Sequence, residues 1–256
     1  MAGDPGVGKS TLLLQLALSL SQTALTVLYV SGEESVEQIK MRAVRIGTST
    51  TSIKSTKGIK GAKSFDTSDT LDTSDTSFNE NLFLVSMTDA DTIVTQIEEM
   101  KPDLVVIDSI QTIESQNVSG LSGSVGQVRY GALQFVRIAK QYNIPIVIGG
   151  HVTKEGMVAG PMVLSHMVDT VLFLEGEKFA KTRILRSFKN RFGPVDEVGI
   201  FLMEGEGMQE AKDPEQLFLP SANTNTPGSV LISTLEGSRA FLVELQALVV
   251  SSRLPM

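Results

Sequence analysis

The run Gly3-Asp4-Pro5-Gly6-Val7-Gly8-Lys9-Ser10, continued by Thr11, has the residue types and spacing of a loop that grips phosphate. It fits the pattern G-x-x-x-x-G-K-[ST] in full and opens onto the apolar stretch Thr11 to Leu20. Glycines let the backbone wrap so that successive N–H groups converge on phosphate oxygens at the start of a helix. In such a loop Lys9 bridges the β- and γ-phosphates and Ser10 holds Mg2+, so the expected ligand is ATP with its metal. A Gly-rich turn ahead of an ordinary helix is the plain alternative, and the restrictiveness of the motif argues against it.

A metal held by Ser10 needs a second anchor. Leu104-Val105-Val106-Ile107-Asp108-Ser109 is an apolar strand ending in an acid, and beside the loop it would deliver Asp108 to the Mg2+ shell. Strands also end in Asp to cap the next element, so this assignment draws its weight from the complete loop pattern upstream. Glu33 and Glu34 follow another strand, Thr26 to Ser31. A carboxylate there can orient and deprotonate an attacking water, while two acids just ahead of Ser35 also suit the positive end of a helix. Lys189 and Arg191 stand two residues apart and so on one side of an extended segment. Cations that far along the chain can complete a neighbouring subunit's site; on spacing alone, a solvated basic turn ended by Gly193 is the plainer reading. His151, ahead of Thr153-Lys154-Glu155-Gly156, is open between a structural histidine and a sensor.

The elements that must position these groups read as α/β. Thr26–Ser31, Asn81–Ser86, Leu104–Asp108 and Ile144–Gly149 are short apolar runs of the kind buried on both faces of a parallel sheet. Between them, Ser35 to Arg45 starts with a capping-box pattern and puts Val36, Ile39, Ala43 and Val44 on one stripe. Val125, Val128, Ala132, Phe135, Val136 and Ala139 form a second stripe. The expected fold is a mostly parallel, twisted sheet flanked by helices, built from βαβ units. From Val168 onward three strands follow with only short turns, which predicts an antiparallel extension. A strand should precede the loop, yet only Met1 and Ala2 do, so that strand is expected to be missing and the chain to be truncated. Residues 48–79 are rich in Ser, Thr and Asp and repeat the unit D-T-S-D-T, and are expected to be a disordered insertion. The core is thus expected over residues 1–219, a linker over 220–228, and the start of a further domain over 229–256.

Composition narrows the classes. With no cysteine and 2 histidines, the chain has no thiolate metal site or disulfide framework. A formal charge of −7 requires any nucleic-acid contact to be a local basic patch. No run of apolar residues is long enough to span a bilayer as a helix, and no targeting leader is apparent.

Taken in order, G-D-P-G-V-G-K-S, V-L-Y-V-S-G-E-E-S, L-V-V-I-D-S-I-Q-T, G-H-V-T-K-E-G and K-N-R-F-G resemble the RadA/Sms family of RecA-like repair ATPases, from about Ala2 to Leu219. The resemblance implies a RecA-like P-loop core and a DNA-dependent ATPase that drives branch migration of recombination intermediates. It makes Glu33 the preferred water-activating acid, with Glu34 second. It makes Lys189 and Arg191 contacts to a neighbour's ATP, and His151 a γ-phosphate sensor that passes its state to residues 152–163. Lys154 is the first choice for contact with single-stranded or branched DNA and Arg129 the second. It further implies a hexameric ring, a strand-exchange recombinase as partner, an N-terminal four-cysteine zinc ribbon and a C-terminal Lon-like domain, of which this chain would hold only a beginning. Location is expected to be cytoplasmic and nucleoid-associated, with an organelle as the alternative because the N-terminus reads as truncated. Two other classes share the loop: a small-molecule kinase, whose Arg-rich lid is not apparent here, and a non-catalytic remnant.

Overall fold

Short apolar runs favour strands covered on both faces; of the four, Val27–Ser31 and Leu104–Asp108 are buried along their length, while Ile146–Ile148 is half-buried. In a computed structural model the structure describes residues 1–46, 54–55, 81–152, 161–176, 180–212, 228–236, 239–247 and 249. Strands β1 (Ala2–Gly3), β2 (Val27–Ser31), β3 (Lys54–Ser55), β4 (Leu82–Ser86), β5 (Leu104–Asp108), β6 (Ile146–Ile148) and β7 (Gly150–His151) alternate with helices α1 (Lys9–Ser21), α2 (Val36–Arg45), α3 (Ala90–Met100) and α4 (Val125–Tyr142). A single turn α5 (Pro161–Leu164) leads to β8 (Thr170–Glu175), β9 (Thr182–Asn190), β10 (Val198–Glu204) and β11 (Gly207–Glu210).

One set of strands runs in the order β3-β4-β2-β5-β6, all pairs parallel, and a second in the order β11-β10-β9-β8-β1-β7. The chain from Ile146 to His151 joins them, because β6 leans on β5 while β7 leans on β1. At the crossover Gly149 N–H donates to Ile107 O and Gly150 N–H to Met1 O. β8, β9, β10 and β11 are antiparallel neighbours, as the short turns predict; β11 was not foreseen.

Side chains alternate across the sheet, so each face receives its own helices. Leu28, Val30, Val105 and Ile107 pack with Ile93 and Ile97 of α3 and Val128, Ala132 and Phe135 of α4. Val27, Tyr29, Leu104 and Val106 face Leu13, Leu14 and Ala17 of α1 and Ile39 and Ala43 of α2. The helix starts follow the sequence: Ser35 and Gln38 form the complete capping box of α2, and the Asp89 side chain accepts from Thr92 N–H at the start of α3. One stripe needs correction, since Val44 is 74% exposed and the core face of α2 is carried by Ile39 and Ala43.

Ahead of the loop, the two residues of β1 pair in parallel with β7 on one side and β8 on the other. Along the line of β1, between β6 and the start of β8, lies a cavity of about 900 Å3 lined by Leu16, Phe135, Ile146, Ile148, Val171 and Leu172. Within the stretch expected to be disordered, Lys54–Ser55 pair in parallel with Phe83–Leu84; the rest of 48–79 lies outside the described residues. The linker, apart from Gly228, also lies outside them, and beyond it β12 (Ser229–Glu236) and β13 (Arg239–Gln246) form an antiparallel hairpin.

Phe135 is fully buried, so Phe135→Ala should lower unfolding free energy by about 3–5 kcal/mol in denaturant titrations, which checks this packing.

Candidate nucleotide site

The loop leaves β1 at Gly3 and enters α1 at Lys9, and its backbone conformation is one that side chains resist. Gly6 has φ 80° and Gly8 φ 106°, both left-handed. A Cβ on Gly3 would lie 2.3 Å from Leu174 O, so only glycine lets β1 approach β8 this closely. Gly8 occupies the N-cap of α1 with no side-chain cap and no acid in the first turn, which leaves the first amides of the helix to a ligand. Asp4, Pro5 and Gly6 are exposed, and nothing lies within 4 Å of a Cβ built on Gly6, so space is open in front of the loop.

The loop is braced from the antiparallel side. Buried Arg183 on β9 donates to Val7 O at 2.8 Å, and Val7 itself packs against Leu174 and Met208. The Gln15 amide of α1 exchanges two hydrogen bonds with the Met208 backbone, at 2.9 and 2.8 Å. Sequence reasoning passed over both residues, because Arg183 is one of several polar residues in its strand and nothing in the local pattern sets it apart.

Lys9 is 3% exposed and its Nζ donates to Gly3 O and Asp4 O at 2.9 and 2.8 Å. These carbonyls occupy donors that a phosphate would take. Burial lowers the Lys9 pKa, while the charges of Asp108, Asp4 and Glu33 act in the opposite direction. Asp108 therefore sits close enough to Lys9 to be felt, as a metal anchor beside the loop must. Ser31 lies directly opposite Asp108 in the β2–β5 register, which brings the Glu33 segment to the same sheet edge.

Glu33 and Glu34 separate cleanly. Glu33 Oε1 accepts from Ser109 Oγ at 2.8 Å and lies 3.3 Å from His151 Nε2, whereas Glu34 forms an ion pair with Arg42 of α2. Glu34 is thus tied to α2 through Arg42, and Glu33 faces the loop edge. His151 is brought there by pairing with Gly3, and Gln111 Nε2 donates to its carbonyl at 3.2 Å. His151 Nδ1 and Gln111 Oε1 are buried without a hydrogen-bond partner. Oxygen donors from Ser10 and Asp108 beside open amides suit a hard cation shared with phosphate. Among the described residues no three His, Cys, Asp or Glu cluster to hold a metal alone, so the phosphates would have to supply the remaining ligands.

The family model for the AAA domain matches residues 1–157, which contain the loop, Glu33, Asp108 and His151. DNA repair protein RadA of Bacillus subtilis (strain 168) is 45% identical over 97% of this chain and 48% of its own length. The corresponding proteins of Streptococcus pneumoniae and Listeria monocytogenes are 45% and 44% identical over 97% of this chain. The chain belongs to the RadA/Sms branch of the AAA-domain family. It spans about half the length of the curated RadA relatives it matches. Among solved structures, a DnaB-like replicative helicase described with its primase interactions superposes with TM-score 0.59 over 81% of this chain and 55% of its own, at 16% identity. That likeness establishes the RecA-like fold.

The cations of the RadA/Sms motif K-N-R-F-G lie away from the loop of their own chain. Lys189 pairs with Val171 at the start of β8, while Gly3 meets Leu174 near its end. Counted along β9 from Leu185, which pairs with Leu174, Lys189 and Arg191 are about 13 and 20 Å from the loop's level. Lys189 Nζ donates to Ser165 O and Val168 O, and exposed Arg191 contacts Asp169 at 3.2 Å. Arg129 is exposed on α4; Lys154 lies outside the described residues.

The split between the two acids is measurable. Glu33→Gln should abolish nucleotide turnover with binding affinity retained in a fluorescent-nucleotide titration, while Glu34→Gln should cost stability and leave turnover within about threefold. Equal loss of turnover in both would remove the assignment.

Proposed function

We propose that this chain is the motor core of a DNA-dependent ATPase that acts in recombinational repair and drives branch migration of recombination intermediates. The observation that carries the reading is the convergence of Lys9, Asp108 and the Ser109–Glu33–His151 cluster at one edge of the sheet, around open helix amides.

In this reading the amides of Gly6 to Thr11 and the Lys9 ammonium bind the β- and γ-phosphates, with Lys9 exchanging the carbonyls of Gly3 and Asp4 for phosphate oxygens. Ser10 and Asp108 hold Mg2+, which neutralises charge on the transferred phosphoryl group. Glu33 orients the attacking water and takes its proton. In the present arrangement Glu33 is engaged by Ser109 and His151, so a γ-phosphate that draws His151 away frees the carboxylate. Residues 152–163 follow His151 directly and include Lys154, and with Arg129 they form the expected DNA surface. Lys189 and Arg191 stand too far from their own loop to act within one chain. A ring of identical subunits, expected to be a hexamer, would set them against the neighbour's nucleotide. Engagement with a strand-exchange recombinase and a cytoplasmic, nucleoid-associated location belong to the same proposal, in keeping with relatives named as DNA repair proteins. No helix among the described residues is long and apolar enough to cross a membrane.

ATP hydrolysis should rise several-fold on adding single-stranded DNA and the DNA affinity should fall steeply with salt. Lys9→Ala should abolish nucleotide binding. Arg191→Ala should bind nucleotide normally and turn over slowly, and mixing it with Glu33→Gln should restore part of the activity, because each variant supplies what the other lacks. Indifference to DNA would overturn the motor reading, and mixtures no better than the sum of their parts would overturn the shared site.

A further inference from the structure

We infer that Tyr29 is the positioning residue of the metal site: its phenol fixes the rotamer of Asp108 and thereby sets the affinity and selectivity of the site for Mg2+. The inference rests on the nucleotide and metal reading above and concerns a buried strand residue that has no role in that reading.

Tyr29 is fully buried in β2, on the face that packs against α1 and α2, among leucine, isoleucine, valine and alanine side chains. Phenylalanine would fill that space equally well. A buried hydroxyl has to find a partner or lose its hydration for nothing, and the Tyr29 hydroxyl donates to Asp108 Oδ2 at 2.6 Å. The register explains the reach. Tyr29 stands opposite Val106, so Asp108 is the diagonal neighbour on the same face of the adjoining strand, a span that a tyrosine side chain covers. On its other side the carboxylate abuts the crossover glycine, since a Cβ built on Gly149 would lie 3.2 Å from Asp108 Oδ1. The phenol thus holds one carboxylate oxygen, while the other faces the space that glycine leaves open at position 149.

Mg2+ demands nearly ideal octahedral geometry, while Ca2+ tolerates variable coordination. A loosened carboxylate therefore penalises Mg2+ more. Removing a hydrogen-bonding partner of a metal ligand typically lowers metal affinity 10–100-fold.

The test is Tyr29→Phe on the full chain, with nucleotide affinity titrated against Mg2+, against Ca2+ and in EDTA, and thermal melting alongside. The expected result is an Mg2+ half-saturation raised at least about tenfold, a smaller change for Ca2+, and unchanged affinity in EDTA. Asp108→Asn should raise the Mg2+ requirement by itself, and adding Tyr29→Phe to it should have little further effect, because the phenol acts through that carboxylate. If Tyr29→Phe does not fold, fluorinated tyrosine at position 29, which changes phenol acidity while keeping the ring, should shift the Mg2+ requirement and leave affinity in EDTA unchanged. An unaltered Mg2+ half-saturation in a folded variant overturns the inference, as does a parallel loss of affinity in EDTA or full additivity with Asp108→Asn. Wild-type nucleotide affinity that does not respond to Mg2+ at all would overturn the metal reading together with it, an outcome distinct from a normal wild type with an unaffected variant.

Discussion

Parallel pairing is the constraint on which the rest depends. When adjacent strands run the same way, their C-terminal ends emerge along one edge, and whatever follows each strand meets there. In this chain Gly3 is level with His151 and Leu174, and Ser31 is level with Asp108. Segments separated by more than a hundred residues in sequence are brought together by register alone. The loop, the acid that follows β2, the acid that ends β5 and the histidine of β7 are consequences of that alignment.

The edge brings groups together without making them rigid, and the antiparallel strands supply the rigidity. Arg183 ties Val7 to β9, Gln15 ties α1 to β11, and Met208 closes over Val7. A loop kept in left-handed glycine conformations with unfilled amides is costly by itself. Its cost is met by neighbours that hold it from outside the ligand space. The same strand that braces the loop at one end carries Lys189 and Arg191 at the other, so one rigid element relates a subunit's own site to the surface from which it would reach the next.

Electrostatics at the edge are arranged in layers. Lys9 is buried yet surrounded by the charges of Asp108, Asp4 and Glu33, so its ammonium is held in a net acidic setting that a triphosphate would replace. Glu33 is engaged by hydroxyl and imidazole, Glu34 by a guanidinium, and Asp108 by a phenol. Each carboxylate has a distinct partner type, which gives three acids of the same chemistry three different freedoms of movement.

Much of this was legible in the chain itself. The phosphate loop depends on local backbone freedom and helix initiation, both written into Gly3, Gly6, Gly8, Lys9 and Ser10; the buried strands are marked by uninterrupted apolar runs, and the start of α2 by Ser35 and Gln38. These are short-range effects, and sequence spacing reports them directly. The distinction between Glu33 and Glu34, the phenol behind Asp108, the brace from Arg183 and the exposure of Val44 depend on which strand lies beside which, and in what register. The decisive ones are contacts across long stretches of chain, 79 residues from Tyr29 to Asp108 and 193 from Gln15 to Met208, and local residue pattern carries no record of them. The two-residue β1 shows the same limit, because Ala2 and Gly3 are too few to read as a strand and become one only through the partners that the folded sheet places on either side.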